Sequence, residues 1–179
     1  MDDPGEQSGI DTLPPMVGRR IARIEQVFYV FKGAVDRSDC VLQLRMDDGS
    51  VVHFATGADG ASLRVVVGSW VDPFREPLSE ENRAYVESHG KWTAFDTSAT
   101  PEMAPLVGQI VRRVLPIRDQ AGLRRGVQLD LGDEQVTYVV DGDEGFVCHG
   151  PATTELRMLG FFLDPLDAPA LDSRPHEQD

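Results

Sequence analysis

The sequence predicts a β-rich α+β fold: a tandem duplication of a small antiparallel β unit, about four strands each, with one helix in the linker. Three observations carry this prediction. Blocks of residues recur in the same order along the chain. Pro15, Val17, Gly18 and Ile24 match Pro105, Val107, Gly108 and Val114; Leu42, Gln43 and Leu44 match Val127, Gln128 and Leu129; Gly57 and Gly60 match Gly142 and Gly145. A closing block, Trp70-Val71-Asp72-Pro73, matches Phe162-Leu163-Asp164-Pro165. The offset is 90 residues at Pro15, 85 at Gly57 and 92 at Asp72, the drift that insertions in loops of a repeated unit produce. Second, each copy holds two alternating apolar runs around a polar turn. Third, helix start and stop signals coincide only between the copies.

The division that follows is an acidic disordered lead-in at 1–14, a β repeat at 15–77, a helix-bearing linker at 78–104, a second β repeat at 105–169 and a disordered tail at 170–179. Two units of this size bury little surface alone, so they are expected to pack together, as a pseudo-twofold barrel or a sandwich.

Within the first unit, residues 18–31 are rich in Ile, Val, Phe and Tyr and favour a strand. Helical spacing of Ile21, Ile24, Phe28 and Phe31 competes, but the second copy places Pro116 in the matching region, which a helix interior tolerates poorly. Residues 32–39 read as a loop, matched by 118–125 in the second copy. Residues 41–46 and 51–55 then alternate around Asp47-Asp48-Gly49-Ser50, a hairpin signature because Gly supplies positive φ. The second copy keeps the runs at 127–131 and 136–140 and turns on 132–135. Pairing Leu44 with His53 and Leu129 with Tyr138 puts His53 and Tyr138 at equivalent inner positions; a three-residue loop would instead face His53 outward. Short strands follow at 62–67 and 146–149, and Trp70 and Phe162 are expected as core anchors.

In the linker, Ser79-Glu80-Glu81-Asn82 caps a helix running to about Ser88, with Gly90 as its stop. Residues 91–95 read as a strand leading into the second copy, and 154–161 fit helix or strand.

Known catalytic signatures are missing: there is no Walker loop, Gly-x-Gly-x-x-Gly, His-Glu-x-x-His, Cys-x-x-Cys or Gly-x-Ser-x-Gly. His53, His89, His149 and His176 share no ligand spacing, so neither metal nor cofactor is expected. Asp141-Gly142-Asp143-Glu144-Gly145 starts like a calcium loop but lacks the sixth-position Gly and has Ala152 at the twelfth, which makes it a turn. Asp59 and Glu144 hold equivalent turns and would form a carboxylate pair only if the fold brought them together. Cys148 and His149 are strand neighbours that point to opposite faces. Cys40 and Cys148 are expected as free thiols, and Arg19, Arg20, Arg23, Arg112 and Arg113 as partners of local acids.

The net charge of −13 is unevenly placed. Residues 126–156 contain no Lys or Arg but hold Asp130, Asp133, Glu134, Asp141, Asp143 and Glu144, the candidate binding residues. Arg45 and Arg64 occupy matching positions in the first copy. Such a surface repels nucleic acid and attracts a basic protein partner. No run approaches a membrane span, and the acidic N-terminus has no apolar stretch of signal-peptide length, so a cytoplasmic protein is expected. The expected function is protein binding without catalysis, of the kind an immunity protein or antitoxin exerts on a basic enzyme. The alternative is a small-molecule-binding or catalytic site in the groove between the repeats.

Overall fold

The computed structural model describes residues 13–150 and 153–163. Their strands form two five-stranded antiparallel sheets. The first holds β1 (Ile21–Phe31), β2 (Ala34–Met46), β3 (Val51–Thr56), β4 (Leu63–Val67) and, after helix α1 (Glu80–His89), β5 (Lys91–Asp96). The second holds β6 (Arg113–Arg118), β7 (Arg124–Asp130), β8 (Gln135–Asp141), β9 (Glu144–His149) and, after helix α2 (Thr153–Met158), β10 (Phe162–Leu163). Strand order is β4-β3-β2-β1-β5 in one and β9-β8-β7-β6-β10 in the other. Each sheet is thus a four-strand meander, a helix, and a fifth strand returning beside the first. Among the described residues both sheets are open, and no barrel closes.

The inner faces follow from period-two alternation. Leu42, Leu44, Val52 and Phe54 of one sheet share a core with Val127, Leu129, Val136 and Tyr138 of the other. Phe54 and Tyr138 meet at its centre, ring centroids 6.0 Å apart. Cross-strand pairing explains which residues point inward: Leu44 faces Val52, and Leu129 faces Val136. His53 therefore pairs with Gln43 on the outer face, and Phe54, not His53, is the counterpart of Tyr138. Met46 N–H donates to Ser50 O at 2.8 Å, so the turn holds three residues, 47–49. This is the three-residue alternative, which moves the pairing by one residue from Leu44 with His53 and faces His53 outward.

Other expectations change for local reasons. Residues 32–39 are not a loop: β1 and β2 run on as a hairpin closed by Lys32 and Gly33, with φ of 49° and 79°, the two-residue turn whose twist suits flanking strands. The polar residues 37–39 are taken up in a bulge, since Phe28 pairs with Cys40 but Tyr29 pairs with Asp36. Residues 91–95 form the expected strand, β5, which hydrogen-bonds along β1 as the fifth strand of the first sheet. Most of 154–161 is helix α2 and its exit. Trp70 lies half-buried before α1, whereas Phe162 lies in β10 after α2, 47% exposed, so the two are not equivalent anchors. Phe161 is the buried neighbour, packed with Ile117, Val139 and Leu156 on the outer face of the second sheet. The matching Asp164-Pro165, the stretch 164–169, the tail at 170–179 and the lead-in up to residue 12 fall outside the described residues.

Helix α1 forms where its caps predict. Ser79 Oγ accepts from Asn82 N–H at 3.1 Å, Glu80 and Glu81 sit in the first turn, and Gly90 stops the helix at φ 83°.

The two sheets are also joined through backbone. Gly18 N–H donates to Val111 O and Gly108 N–H donates to Ile21 O, each at 2.8 Å. Ile21 N–H donates to Gln109 O and Val111 N–H to Arg19 O, each at 2.9 Å. Arg20 and Ile110 face each other at the centre as an antiparallel bridge. Gly18 and Gly108 both have φ of 85°, a conformation that any side chain would strain, and each turns its strand into this clasp.

Candidate functional site

The six acids chosen from sequence do not form one surface. Asp130 is only 8% exposed at the end of β7. It takes Arg113 Nε at 2.7 Å and Gly132 N–H at 2.9 Å. Burial pushes its carboxyl up, but these donors and the Arg113 and Arg112 charges carry it below the usual value. Asp133 and Glu134 stand in the turn before β8, where Glu134 lies 3.8 Å from His149 Nε2 and the Arg112 guanidinium lies against Gly132. Asp141, Asp143 and Glu144 are exposed at the opposite end of β8. The seven residues of β8 separate the two groups by about 20 Å. Among the described residues, none of the three acids of the second group is in an ion pair.

Four of the five arginines at the unit starts, Arg19, Arg20, Arg23 and Arg113, lie within ion-pair distance of acids. Arg19 reaches Asp48 at 2.8 Å, Arg23 reaches Glu25 at 3.0 Å and Asp96 at 3.2 Å, and Arg113 holds Asp130.

The β8–β9 turn, with Gly142 and Asp143 at φ 53° and 71°, packs against the β3–β4 turn. Asp143 N–H donates to Gly60 O at 2.8 Å, and its carboxylate occupies the space a side chain on Gly60 would need. This close approach, at a φ of 66°, is why residue 60 has no Cβ. The two turns do meet, yet Asp59 and Glu144 form no carboxylate pair. Asp59 accepts from Ala61 N–H at 3.0 Å and from Ser62 N–H and Oγ–H at 2.8 Å each, and the Ser62 and Ala61 amides hold it down at about 2, too acidic for a general acid.

Asp39 is the residue that sequence reasoning missed. The β2 bulge presents it to the second sheet, where its Oδ1 accepts Gly145 N–H at 2.7 Å. Burial raises its pKa; the Gly145 and Cys40 amides oppose this, and Asp36 adds to it. Nothing local in the sequence marks it, because its neighbour comes from more than a hundred residues away. A groove of about 370 Å³ opens beside it, lined by Asp39, Thr56, Gly57, Gly60, Trp92 and Asp143. Trp92 is fixed by an edge-on contact with Tyr29, centroids 5.9 Å apart.

The sign of the Asp39 shift makes a prediction. With a folded pKa above the ordinary 3.8, ionisation opposes folding fully above the folded pKa and not at all below the ordinary one. Asp39→Asn keeps an acceptor for Gly145 and should melt higher than the parent at neutral pH. The two curves should converge as pH falls below about 3.8. Parallel melting profiles across that range would show that Asp39 bears no such penalty.

A second groove, about 410 Å³, runs between β1, β2, β9 and the loop after β5, past Phe28, Arg37, Cys40, Glu102 and His149. Burial pushes the Cys40 thiol to about 12, so it is no nucleophile, and Cys148 is raised by burial as well. Both cysteines are free. Tyr138 donates its hydroxyl to Cys40 O at 2.8 Å and is raised by burial. His53 is lowered chiefly by burial and rests against Gly68 O at 2.9 Å on the outer face, in neither groove. Among the described residues no cluster of three metal-ligating side chains occurs, and no helix is long and apolar enough to cross a membrane. Comparison with protein-family models, with curated proteins and with solved structures finds no match.

Proposed function

We propose that the chain is a protein-binding module, active in the cytoplasm, that engages a basic protein partner through the acidic end of β8. An inhibitor of the immunity-protein or antitoxin kind is the specific version. The supporting observation is the exposed group Asp141, Asp143 and Glu144, three carboxylates on a short ordered turn with no cation paired to them among the described residues. Among the described residues, Arg19, Arg20, Arg23, Arg113 and Arg125 are each paired to an acid elsewhere, and this turn adds three unpaired carboxylates to a chain of net charge −13. Unpaired charge at an exposed turn steers a basic partner and repels nucleic acid. The role first drawn for all six acids narrows to this turn, because Asp130 is consumed by Arg113 and the Asp133 end is flanked by Arg112.

A duplicated origin fits the same molecule. The two meanders share strand order, and the backbone bonds of the Gly18 and Gly108 clasps exchange into one another on shifting by 90 residues. That is the pattern of a pseudo-twofold axis through the bridge of Arg20 and Ile110. On this reading the second copy kept the core and changed charge at one turn.

The catalytic alternative draws little support: neither groove combines an ionised nucleophile with a base. Capture of a basic partner by the parent chain, followed by kinetics, tests the proposal. Asp141→Lys with Glu144→Lys, both exposed strand residues, should slow association about tenfold at low salt and weaken its salt dependence, with little change in melting temperature. Equal rates for parent and variant at low and high salt would reduce the turn to a solubility feature.

A further inference from the structure

We propose that the groove between the β2 bulge, the β3–β4 turn and Trp92 receives an arginine side chain of the partner, its guanidinium between Asp39 and Asp143 and its plane on the indole. This rests on the acidic-end reading and gives it a specific contact.

Three features converge there. Asp39 and Asp143 line the same groove, contributed by different sheets, and neither is in an ion pair among the described residues. Asp143 is one of the three exposed acids, so the groove opens directly from the surface proposed to steer the partner. Both carboxylates are held in place: Asp39 by Gly145 N–H, Asp143 by the backbone bond to Gly60 and the absent Cβ there. Trp92 lines the same groove, half-buried and braced by Tyr29.

The chemistry selects the occupant. Two carboxylates without a cation exclude an anionic ligand, and small residues, Ala55, Gly57 and Ala58, leave about 370 Å³ of space beside them. A guanidinium is flat, stacks on indole and offers several N–H donors to carboxylates on its edge. An ammonium presents a hydrated point charge that uses the wall less well. The partial burial that penalises the Asp39 charge in the free protein becomes an advantage once a cation neutralises it.

The test uses the full chain labelled with nitrogen-15 and three capped tripeptides, Gly-Arg-Gly, Gly-Lys-Gly and Gly-citrulline-Gly. The arginine peptide should shift the Gly60 and Asp143 amides and the Trp92 indole N–H saturably, the lysine peptide should bind more weakly, and the uncharged citrulline peptide should leave those signals in place. Asp39→Asn should weaken the arginine peptide about tenfold, the loss expected for one charge-assisted contact. Trp92→Leu should reduce the preference for arginine over lysine; Trp92→Phe, which keeps a ring, should retain part of it. Equal shifts from arginine and citrulline, or arginine shifts that avoid Gly60 and Trp92, would overturn the proposal. The two readings separate with a captured partner. Association that depends on Asp141 but not on Asp39 or Trp92 would overturn the groove and leave the acidic turn standing. Arginine-specific shifts in the groove with no basic protein captured would support the groove and remove the protein-binding reading.

Discussion

Replacing Tyr138 by Ala is expected to lower stability by about 3–5 kcal/mol, as for other aromatics deleted from a core. Tyr138 is 1% exposed and pairs with Val127 on the inner face of β8. Its ring meets Phe54, the counterpart residue of the other sheet, so truncation opens a cavity at the junction of both. Its hydroxyl satisfies the Cys40 carbonyl, which truncation would leave unpaired. A domain of this kind has about 5–15 kcal/mol in total, so the variant should be close to unfolding. Tyr138→Phe separates the two contributions: it keeps the packing and should lose only about 1–2 kcal/mol through the orphaned carbonyl. Urea unfolding of the three proteins measures both. Equal losses for Ala and Phe would mean that the ring contributes nothing beyond its hydroxyl, against the packing argument.

Gly126→Ala should destabilise by about 1–3 kcal/mol or more, through overpacking instead of a cavity. Gly126 lies in β7 opposite Val139, and a Cβ there would overlap the Tyr138 carbonyl oxygen and press on Val139 Cα and Ile117 Cδ1. Two of those three atoms are backbone, so no rotamer change relieves the overlap and β7 must move away from β8. Gly142→Ala is the contrast. No atom lies within reach of its Cβ, and strain at its φ of 53° is the sole penalty, so it should be the milder variant. Paired urea curves decide between them, and an unchanged midpoint for Gly126→Ala would show that the strands accommodate a methyl group there.

The acids show how far a sequence alone carries a site. Their crowding between 126 and 156 is plain in the chain, yet it cannot tell a spent carboxylate from a free one. Asp130 is neutralised by Arg113, a residue 17 positions away that meets it because β6 and β7 pair in that register. Asp39 became a candidate only through Gly145, which lies 106 residues further along.

The sequence by itself determined the features whose physics is local. Alternating apolar residues around Asp48-Gly49 and around 132–135 dictate two hairpins, because side chains alternate faces in a strand. Ser79 and Gly90 mark the ends of α1, because a cap is a bond within one turn. The tertiary structure alone decided the rest. Whether His53 or Phe54 faces the core depended on a one-residue shift in pairing that no composition records. Whether Phe161 or Phe162 is buried depended on how β10 meets β6. The groove at Trp92 exists only because a bulge in β2 and turns from both sheets converge, and such long-range coincidence leaves no trace in the order of residues along the chain.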